Sequence, residues 1–472
     1  MSLQNQKLSF KEKISYGFGD LASVLYWQTF MLYFTYFYTD VFLIPASAAA
    51  TMFLISRIWD GVNDPMMGMI ADRTRTRWGK FRPYLLWICV PFAVVGVLTF
   101  TVPDFGPAGK LVWAYVTFIA IMMLYTAINI PYTALLGVIS ADSIERTTVS
   151  SVKFLFAFSA GIIVSATLLP MVKTLGGGND ARGWQLSFVI YGIAAVIFFL
   201  IAFKGTRERV QPPKNQQSSI KKDLYELVTN KPWLILLATT ITFILFVAVR
   251  SSVTVHYFKY VIGSQELSLP FLKTGSYGFV ELTSAFNTVG QISAFIGVLL
   301  VSWFAKVVGK KKAFIILFIV AIISTAAFYF LSAAQLSLIF LFQITGSMTG
   351  GPLSVLLWAM YADTADYAEW KRGRRATGLI FSASTMSQKF GWAFGAFVAL
   401  TLMSQVGFVP NQAQSAESQK GLLLLFSLIP AFVGIIALGI MLFYKLDERQ
   451  MKEIETELLE RRKARGEEAT TA

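Results

Sequence analysis

The 472-residue sequence predicts an all-α membrane protein with twelve transmembrane helices in two six-helix halves. Only 14% of its residues are charged and 55% are hydrophobic, whereas a soluble globular protein carries about 25% charged residues. The apolar residues form repeated runs close to the ~20 residues that cross a hydrocarbon core. Charged residues lie between these runs, so the net charge of +14 does not indicate a nucleic-acid surface.

Twelve apolar runs, separated by charged or Pro/Gly-rich segments, are the predicted spans. Several contain Gly, Asn, Gln or charged residues, which is typical of helices that line a wet cavity. The amino terminus lacks the apolar region of a signal peptide, and we therefore expect the first run to be an uncleaved span. The predicted spans are 16–39, 47–71, 84–103, 111–138, 150–174, 184–204, 233–260, 275–304, 313–332, 336–362, 376–405 and 421–444.

The distribution of Lys and Arg predicts the orientation of these spans. The loops after the second, sixth, eighth and tenth runs are rich in Lys, Arg or both, and the loops on the other side carry few. We therefore expect a multi-pass protein of the bacterial inner membrane with both termini in the cytoplasm. The expected domains are an N-terminal bundle (1–204), a cytoplasmic linker (205–232), a C-terminal bundle (233–444) and a cytoplasmic tail (445–472) that forms a charged, solvated helix.

Matching loops in the two halves indicate an internal repeat. A basic loop follows the second span of each half ("ADRTRTRWGKFRPY" and "AKVVGKKKAF"), and an acidic loop follows the fourth ("SADSIER" and "YADTADYAEWKRGRR"). Transporters with two parallel repeats bind substrate between the halves and rock about it. These charges either fix the topology alone or also pair across the halves to close an inner gate. The candidate gating or coupling residues are Arg57, Arg73, Arg77, Asp142, Arg146, Asp363, Asp366 and Arg375.

The second span contains charges where charges are costly. It reads "SRIWDGVNDPMMG" and includes Arg57, Asp60, Asn63 and Asp64, although one charge at the centre of a span costs at least ~2.5 kcal/mol. Asp60 and Asp64 are one helical turn apart and share a face. Two carboxylates this close resist being ionised together, and a bound Na⁺, Li⁺ or H⁺ relieves the repulsion. The alternative is a structural ion pair between Arg57 and Asp60, which leaves Asp64 unexplained.

Other polar and aromatic residues within the spans are candidates for contacts to a sugar. A pyranose suits one aromatic face together with several hydrogen-bonding groups. Arg250 and Glu281 are expected to pair with one another, and His256 is interpreted as incidental. The substrate-binding candidates are Asp20, Trp27, Tyr125, Asn129, Lys153, Trp358, Thr385, Gln388, Lys389 and Trp392.

Five segments resemble the glycoside–pentoside–hexuronide:cation symporters: "YGFGD", "RIWDGVNDPMMGMIADRTRTRWGKFRPY", "NIPYTAL", "ADSIER" and "WAMYADTADYAEWKRGRRATG". The resemblance extends over essentially the whole chain. It implies the major facilitator fold and cation-coupled uptake of a sugar. It also implies a cation site and positions near the sugar. The implied cation ligands are Asp60, Asn63, Asp64 and Thr126, and the implied positions near the sugar are Tyr125, Thr385 and Lys389.

The chain departs from the best-known member of that family at several positions. That protein has an aspartate where this chain has Asn129, a Lys-Asp pair where it has Ser23 and Val24, and a sugar-binding arginine at or beside Lys153. Its α-galactoside specificity is therefore not expected here. Fewer anionic ligands weaken Na⁺ binding, whereas a proton needs only one carboxylate. The substitution at 129 therefore favours H⁺ slightly over Na⁺ as the coupling ion.

Two other functions are compatible with a polytopic membrane protein. The first is a symporter for another solute, such as a lysolipid, on the same fold. The second is a membrane enzyme, but one cysteine and one histidine leave no ordinary Cys/His metal site, and the chain has no nucleophile–base motif. We expect no enzyme activity and no cofactor beyond a coupling H⁺ or Na⁺. The expected partners are a sugar or glycoside and membrane lipid, without nucleic acid, and the expected state is a monomer.

Overall fold

The computed structural model describes residues 8–140, 143–209, 227–267, 275–372, 377–446 and 448–464, and it is almost entirely helical. Helices lie at all twelve predicted spans. Within the described residues, eight helical segments are long and apolar enough to cross a membrane, so the count of twelve spans stays a prediction. The helices are α1 (Phe10–Tyr36), α2 (Ala46–Arg73), α3 (Arg82–Trp87), α4 (Cys89–Thr99), α5 (Pro107–Ile139), α6 (Ser143–Gly176), α7 (Asp180–Gly205), α8 (Lys231–His256), α9 (Phe279–Val308), α10 (Lys310–Ala327), α11 (Leu336–Arg372), α12 (Thr377–Gln405), α13 (Ala416–Phe426), α14 (Leu428–Leu442) and α15 (Glu448–Ala464).

The third and twelfth predicted spans are each divided into two helices. The breaks lie at Ile88, between α3 and α4, and at Ser427, between α13 and α14. Each break is three residues before a proline, Pro91 or Pro430. A proline has no N–H to donate, and its ring clashes with the carbonyl four residues earlier. That carbonyl belongs to the last residue of α3 in one case and of α13 in the other.

The first helix of each half ends in a π-helical turn, which the sequence pattern did not predict. α1 continues into Phe37–Val41 and α8 continues into Tyr257–Ile262. The wider turns are closed by hydrogen bonds from Phe42 N to Phe37 O (2.8 Å) and from Gly263 N to Phe258 O (2.9 Å). Between β1 (Gln265–Leu267) and β2 (Gly275–Tyr277) there is a short antiparallel pairing.

The chain forms two compact units. The first comprises Met1–Asn215, Ser251–Gln291 and Ala396–Leu422, and the second comprises Gln216–Arg250, Ile292–Gly395 and Leu423–Ala472. Segments from the second half of the chain therefore belong to the first unit. This grouping describes compactness and not the repeat, so the predicted bundles 1–204 and 233–444 stay a prediction.

In the first unit, glycines of the "YGFGD" segment let α1 approach its neighbours closely. A Cβ at Gly19 would lie 2.4 Å from the ring of Tyr132 on α5, and one at Gly17 would lie 2.6 Å from the ring of Phe156 on α6. Neither distance is compatible with a side chain. Tyr16 and Tyr132 stack at a ring-centroid distance of 4.6 Å, and each hydroxyl donates to the backbone carbonyl of the other residue. The segment thus has a packing role as well as a polar one.

In the second unit, the predicted tail packs against the helices instead of standing free in solvent. Met451, Ile454 and Leu458 of α15 are buried in one hydrophobic core with aromatic residues of α8 and α10, such as Phe243 and Phe314. Trp370 Nε1 on α11 donates a 2.7 Å hydrogen bond to Oε2 of Glu457, an exposed residue of α15. The expectation of a wholly solvated tail is therefore wrong, because every third or fourth residue of α15 is apolar and forms a stripe.

Candidate functional site

The predicted cation ligands lie on α2 and α5. Asp60 is only 2% exposed, and Asp64 and Asn63 are half-buried. The hydroxyl of Thr126, which is itself buried, donates a 2.9 Å hydrogen bond to Asp64 Oδ1. The Nδ2 atom of Asn63 is buried and makes no hydrogen bond within the described part of the chain. The structure thus brings two of the predicted ligands into contact and puts Asp60 one helical turn away.

Asp20 and Lys153 join α1 to α6. Lys153 Nζ lies 3.6 Å from Asp20 Oδ1 and 5.7 Å from the centre of the Tyr132 ring. Asp20 is buried and Lys153 is half-buried. The carboxylate therefore compensates the ammonium charge, and the aromatic face adds a cation–π contact.

An aromatic pair links α1 to α5 in the same unit. The rings of Trp27 and Tyr125 stack with their centroids 5.5 Å apart and their planes at 26°, and both residues are half-buried. Asn129 follows Tyr125 by one helical turn and is also half-buried. The arrangement offers an aromatic surface and one amide side chain a helical turn away, and a pyranose suits an aromatic face together with hydrogen-bonding groups.

The remaining substrate-binding candidates lie on α11 and α12 in the second unit. Thr385 is exposed, and Gln388, Lys389 and Trp392 are half-buried. They follow one another at short intervals along α12, and Thr385, Gln388 and Trp392 share one face of the helix, with Lys389 at its edge. Trp358 on α11 is half-buried and packs edge-on against Tyr361, with ring centroids 6.0 Å apart.

One candidate gating residue, Asp363, forms an ion pair inside its own half of the chain, and so does Glu145, an acidic neighbour of the candidates Asp142 and Arg146. Asp363 Oδ2 lies 2.6 Å from Lys310 Nζ, and both residues belong to the second half of the chain. In the acidic loop of the first half, Glu145 Oε2 lies 2.7 Å from Lys13 Nζ. The expected partner of Asp363 was a basic residue of the other half. In the structure Lys310, at the start of α10 in the same half, already pairs with this carboxylate.

Other gating candidates lie at the surface or outside the described residues. Arg73 and Arg77 are exposed, and the guanidinium of Arg77 stacks 4.4 Å above the Trp78 ring. Asp366 is half-buried. Asp142 and Arg375 lie outside the described residues. Arg57 lies on α2 and Arg146 on α6, but their side chains are not described.

Glu208, which the sequence did not single out, fastens the start of α3. Its carboxylate accepts hydrogen bonds from the backbone N–H groups of Lys80 (2.9 Å), Phe81 (2.8 Å) and Arg82 (3.0 Å). These are donors that the amino end of a helix leaves without a partner in the helix itself. One residue later, the Arg209 guanidinium donates to both carboxylate oxygens of Glu12. The hydrogen bond with Glu12 raises the pKa of Arg209 above its usual value.

Two further interpretations from the sequence are wrong. Arg250 donates to Gln343 Oε1 at 2.5 Å, and Glu281 pairs with Lys173, so the expected Arg250–Glu281 pair is absent from the described structure. His256 is completely buried and its Nε2 lies 2.9 Å from Asp40 Oδ2, so it is not incidental. The sequence placed these residues on helices but contained no signal for their partners.

The chain is similar to known sugar transporters over almost its whole length. A family described as "MFS/sugar transport protein" matches residues 15–448. An isoprimeverose transporter of Lactiplantibacillus pentosus is 36% identical over 95% of this chain and 91% of its own. The inner membrane symporter YicJ of Escherichia coli (strain K12) is 33% identical over 97% of this chain and 96% of its own.

Solved structures support the fold independently of sequence identity. The crystal structure of a D-xylose–proton symporter has a TM-score of 0.65 and covers 93% of this chain and 98% of its own. Because the two sequences are only 14% identical, this similarity concerns the fold alone.

Proposed function

The chain belongs to the MFS/sugar transport protein family, which matches it over residues 15–448, and we propose that it imports a sugar or glycoside together with a cation by alternating access. It has the major facilitator fold, and it is a member of the glycoside–pentoside–hexuronide:cation symporters, as its resemblance to them predicts. The family and the relatives are transporters and not enzymes. Relatives named as symporters support the coupling of sugar uptake to a cation.

The proposal of a coupling site depends most on the buried carboxylate of Asp60, one turn from the Asp64–Thr126 hydrogen bond. Burial makes the charge of a carboxylate costly unless a proton, a cation or hydrogen bonds compensate it. Helix α2 supplies carboxylate and amide oxygens and α5 supplies a hydroxyl oxygen, and hard cations prefer such oxygen ligands. We therefore assign the cation to Asp60, Asn63, Asp64 and Thr126.

For the coupling ion, we propose H⁺ before Na⁺. The half-buried residue Asn129 is one helical turn from Thr126 and is neutral. Helix α5 therefore adds an amide, and no negative charge, to the two carboxylates of α2. Na⁺ binding gains from each additional anionic ligand, whereas a proton needs one carboxylate whose ionisation a neighbour opposes. Asp60 and Asp64 supply that pair on one face of α2.

For the substrate, we propose an uncharged glycoside. The 3.6 Å approach of Asp20 to Lys153 supports this choice, because a compensated lysine offers little attraction to an anionic sugar. The Trp27–Tyr125 stack supplies an aromatic surface. The other proposed contacts are Asn129, Trp358, Thr385, Gln388, Lys389 and Trp392.

The protein is a multi-pass inner-membrane protein, as its apolar helices and an inner-membrane relative indicate. We propose that both termini are cytoplasmic and that a monomer transports. A reporter that is active only in the cytoplasm should work when it is fused after Ala472 or inserted near Gln216. A signal from outside at either position would contradict this topology.

Transport by the purified full-length chain in liposomes tests the function. Methyl β-D-xyloside and methyl β-D-glucuronide serve as uncharged and anionic probes, under an imposed pH gradient in Na⁺-free buffer and then under a Na⁺ gradient. We expect the xyloside to accumulate and the external medium to become alkaline on its addition. Accumulation of no glycoside under either gradient would contradict the proposed function, and strong Na⁺ stimulation without alkalinisation would contradict the choice of H⁺.

A further inference from the structure

The two π-helical turns occupy equivalent places, because α1 and α8 are the first spans of their halves. Turns of this kind are frequent at functional sites. Each is followed by a residue with a left-handed backbone: Leu43 has φ +65° and Gly263 has φ +68°. Leu43 thus adopts a backbone conformation that favours glycine, although it carries a side chain. Such strain persists only where the surrounding contacts hold it.

The contacts that hold these turns centre on Asp40. His256 Nε2 lies 2.9 Å from Asp40 Oδ2, and Lys259 Nζ donates to Oδ1 at 2.8 Å. The hydroxyl of Tyr260 donates to the same oxygen as Lys259. Thr39 Oγ1 donates to Oδ2 at 2.7 Å. One carboxylate thus joins the end of the first span to three residues at the end of the seventh.

A third segment of the chain contacts Asp40 and two of its partners. Asn411, in the connection between α12 and α13, donates from Nδ2 to the backbone oxygen of Asp40 at 2.6 Å. Its Oδ1 accepts from Lys259 Nζ at 2.6 Å, and its backbone N–H donates to Tyr260 Oη at 2.9 Å. Asn411 has φ +57°, a conformation that Asn tolerates better than most residues. Every polar group of its side chain and its backbone N–H is therefore used in this cluster.

The centre of the cluster is buried, and its opposite charges compensate each other. The side chains of Asp40 and His256 are completely buried, and that of Lys259 is 16% exposed. Burial costs such groups their hydration, and their attraction roughly repays that cost. When water enters, the groups recover their hydration, and the segments separate with little net cost in free energy. Separation of an apolar contact of the same area would instead cost the whole free energy of its hydrophobic burial. A compensated polar cluster therefore suits a contact that must form and break repeatedly.

We propose that Asp40, His256, Lys259, Tyr260 and Asn411 form a latch that closes the transporter on the side opposite its basic loops. This inference rests on the proposed transport function and topology, which put the ends of the first and seventh spans outside. The latch joins residues from both halves of the chain, so substrate enters from outside only when it is broken. Its strength sets the balance between closed and open states on that side.

His256 reports directly on the latch, because it is the only histidine in the chain. The test uses full-length protein in nanodiscs, with any polyhistidine tag removed, and measures the rate of His256 modification by diethyl pyrocarbonate. Asp40→Asn removes the central charge. Asn411→Ala removes two side-chain hydrogen bonds without touching the imidazole, and it changes an exposed loop residue. We expect each to raise the modification rate at least about tenfold, since hydrogen bonds to charged groups are lost.

The exposed Lys173–Glu281 pair supplies a matched control. It also joins a helix of the first half to one of the second, but its side chains are 59% and 36% exposed. Glu281→Gln should therefore leave the modification rate of His256 within about twofold of the wild type, because exposed ion pairs contribute little. An equal rise in this variant would overturn the latch, since the effect would then be a general loosening of the fold.

The result is independent of which solute is carried, because neither sugar nor ion is present. Unchanged protection of His256 in Asn411→Ala would overturn the latch even if Asp40→Asn does not fold. Raised reactivity together with no glycoside transport by the wild type would support the latch and reject the proposed function. Uptake measurements complete the test: the latch variants should keep exchange of external for internal glycoside but accumulate less of it.

Discussion

The hydroxyl of Thr126 donates a 2.9 Å hydrogen bond to Asp64 Oδ1 and so joins α5 to α2. The donor is buried and the acceptor is a carboxylate. Hydrogen bonds to charged groups contribute about 1.5–3 kcal/mol. The bond therefore holds the carboxylate in one orientation at the junction of the two helices.

Removal of this bond should weaken cation binding more than sugar binding. We expect Thr126→Ala to raise the cation concentration for half-maximal uptake about tenfold, which corresponds to about 1.4 kcal/mol. Asp64→Asn should abolish uphill accumulation but leave exchange, because it removes the charge that the cation requires. Thr117→Ala is the control, since Thr117 is buried on the same helix but its hydroxyl donates to backbone carbonyls of its own helix. Normal accumulation by Asp64→Asn would rule out the cation site.

Addition of a carboxylate at residue 129 should shift the coupling towards Na⁺. Asn129→Asp puts a negative charge on α5 one helical turn from Thr126, and Na⁺ gains more from it than H⁺ does. The measurement is uptake of methyl β-D-xyloside in a Na⁺ titration at constant pH, with external pH recorded. Asn129→Gln keeps the amide and serves as control. An unchanged Na⁺ response in Asn129→Asp would show that residue 129 does not border the cation.

Loss of the compensating charge beside Lys153 should change the selectivity for substrate charge. In Asp20→Asn, the ammonium group loses the carboxylate that lies 3.6 Å away. We expect the ratio of glucuronide to xyloside uptake to rise about tenfold, because an anionic sugar then finds an uncompensated cation. Asp20→Glu keeps the charge and should keep the wild-type ratio. Equal losses of both activities in Asp20→Asn would indicate a structural pair that does not affect selectivity.

The carboxylate of Glu208 should stabilise the first unit through three backbone N–H groups of Lys80, Phe81 and Arg82. Glu208→Gln keeps the shape of the side chain but removes the charge, and we expect it to cost about 1 kcal/mol of unfolding free energy. Thermal unfolding in detergent measures the change as a lower Tm. The matched substitution Glu417→Gln affects an exposed residue and should leave Tm unchanged. A Tm for Glu208→Gln equal to that of the control would contradict this role.

The close approach of α1 to α5 should not tolerate a side chain at Gly19. A Cβ there meets the Tyr132 ring at 2.4 Å, whereas a Cβ at Gly68 meets nothing within 4 Å. We expect Gly19→Ala to destabilise the protein by about 1–3 kcal/mol through overpacking. Gly68→Ala should be neutral or stabilising, because alanine favours helix over glycine. Equal Tm values for the two variants would contradict the close contact between Gly19 and Tyr132.

The resemblance and the composition predicted the family, the helical class and the positions of most helices. Segments as apolar as Ala313–Leu331 have few alternatives to a membrane-crossing helix, since only helices and closed barrels satisfy the backbone in lipid. The spacing of Asp60 and Asp64 alone also puts both carboxylates on one face of α2. These properties depend on residues within one or two helical turns of one another.

The sequence by itself thus determined the membrane class, the repeated helices and the side chains that α2 presents together, because each follows from local spacing and hydropathy. Only the tertiary structure decided which distant residues meet. Asp363 pairs with Lys310, Glu281 with Lys173 and Asp40 with His256, and no local pattern distinguishes these partners from other charged residues. The physical reason is that such a pair depends on how the helices pack and on where their ends turn. A π-helical turn after α1 or α8, for example, rotates the following side chains away from the positions that a regular helix would give them.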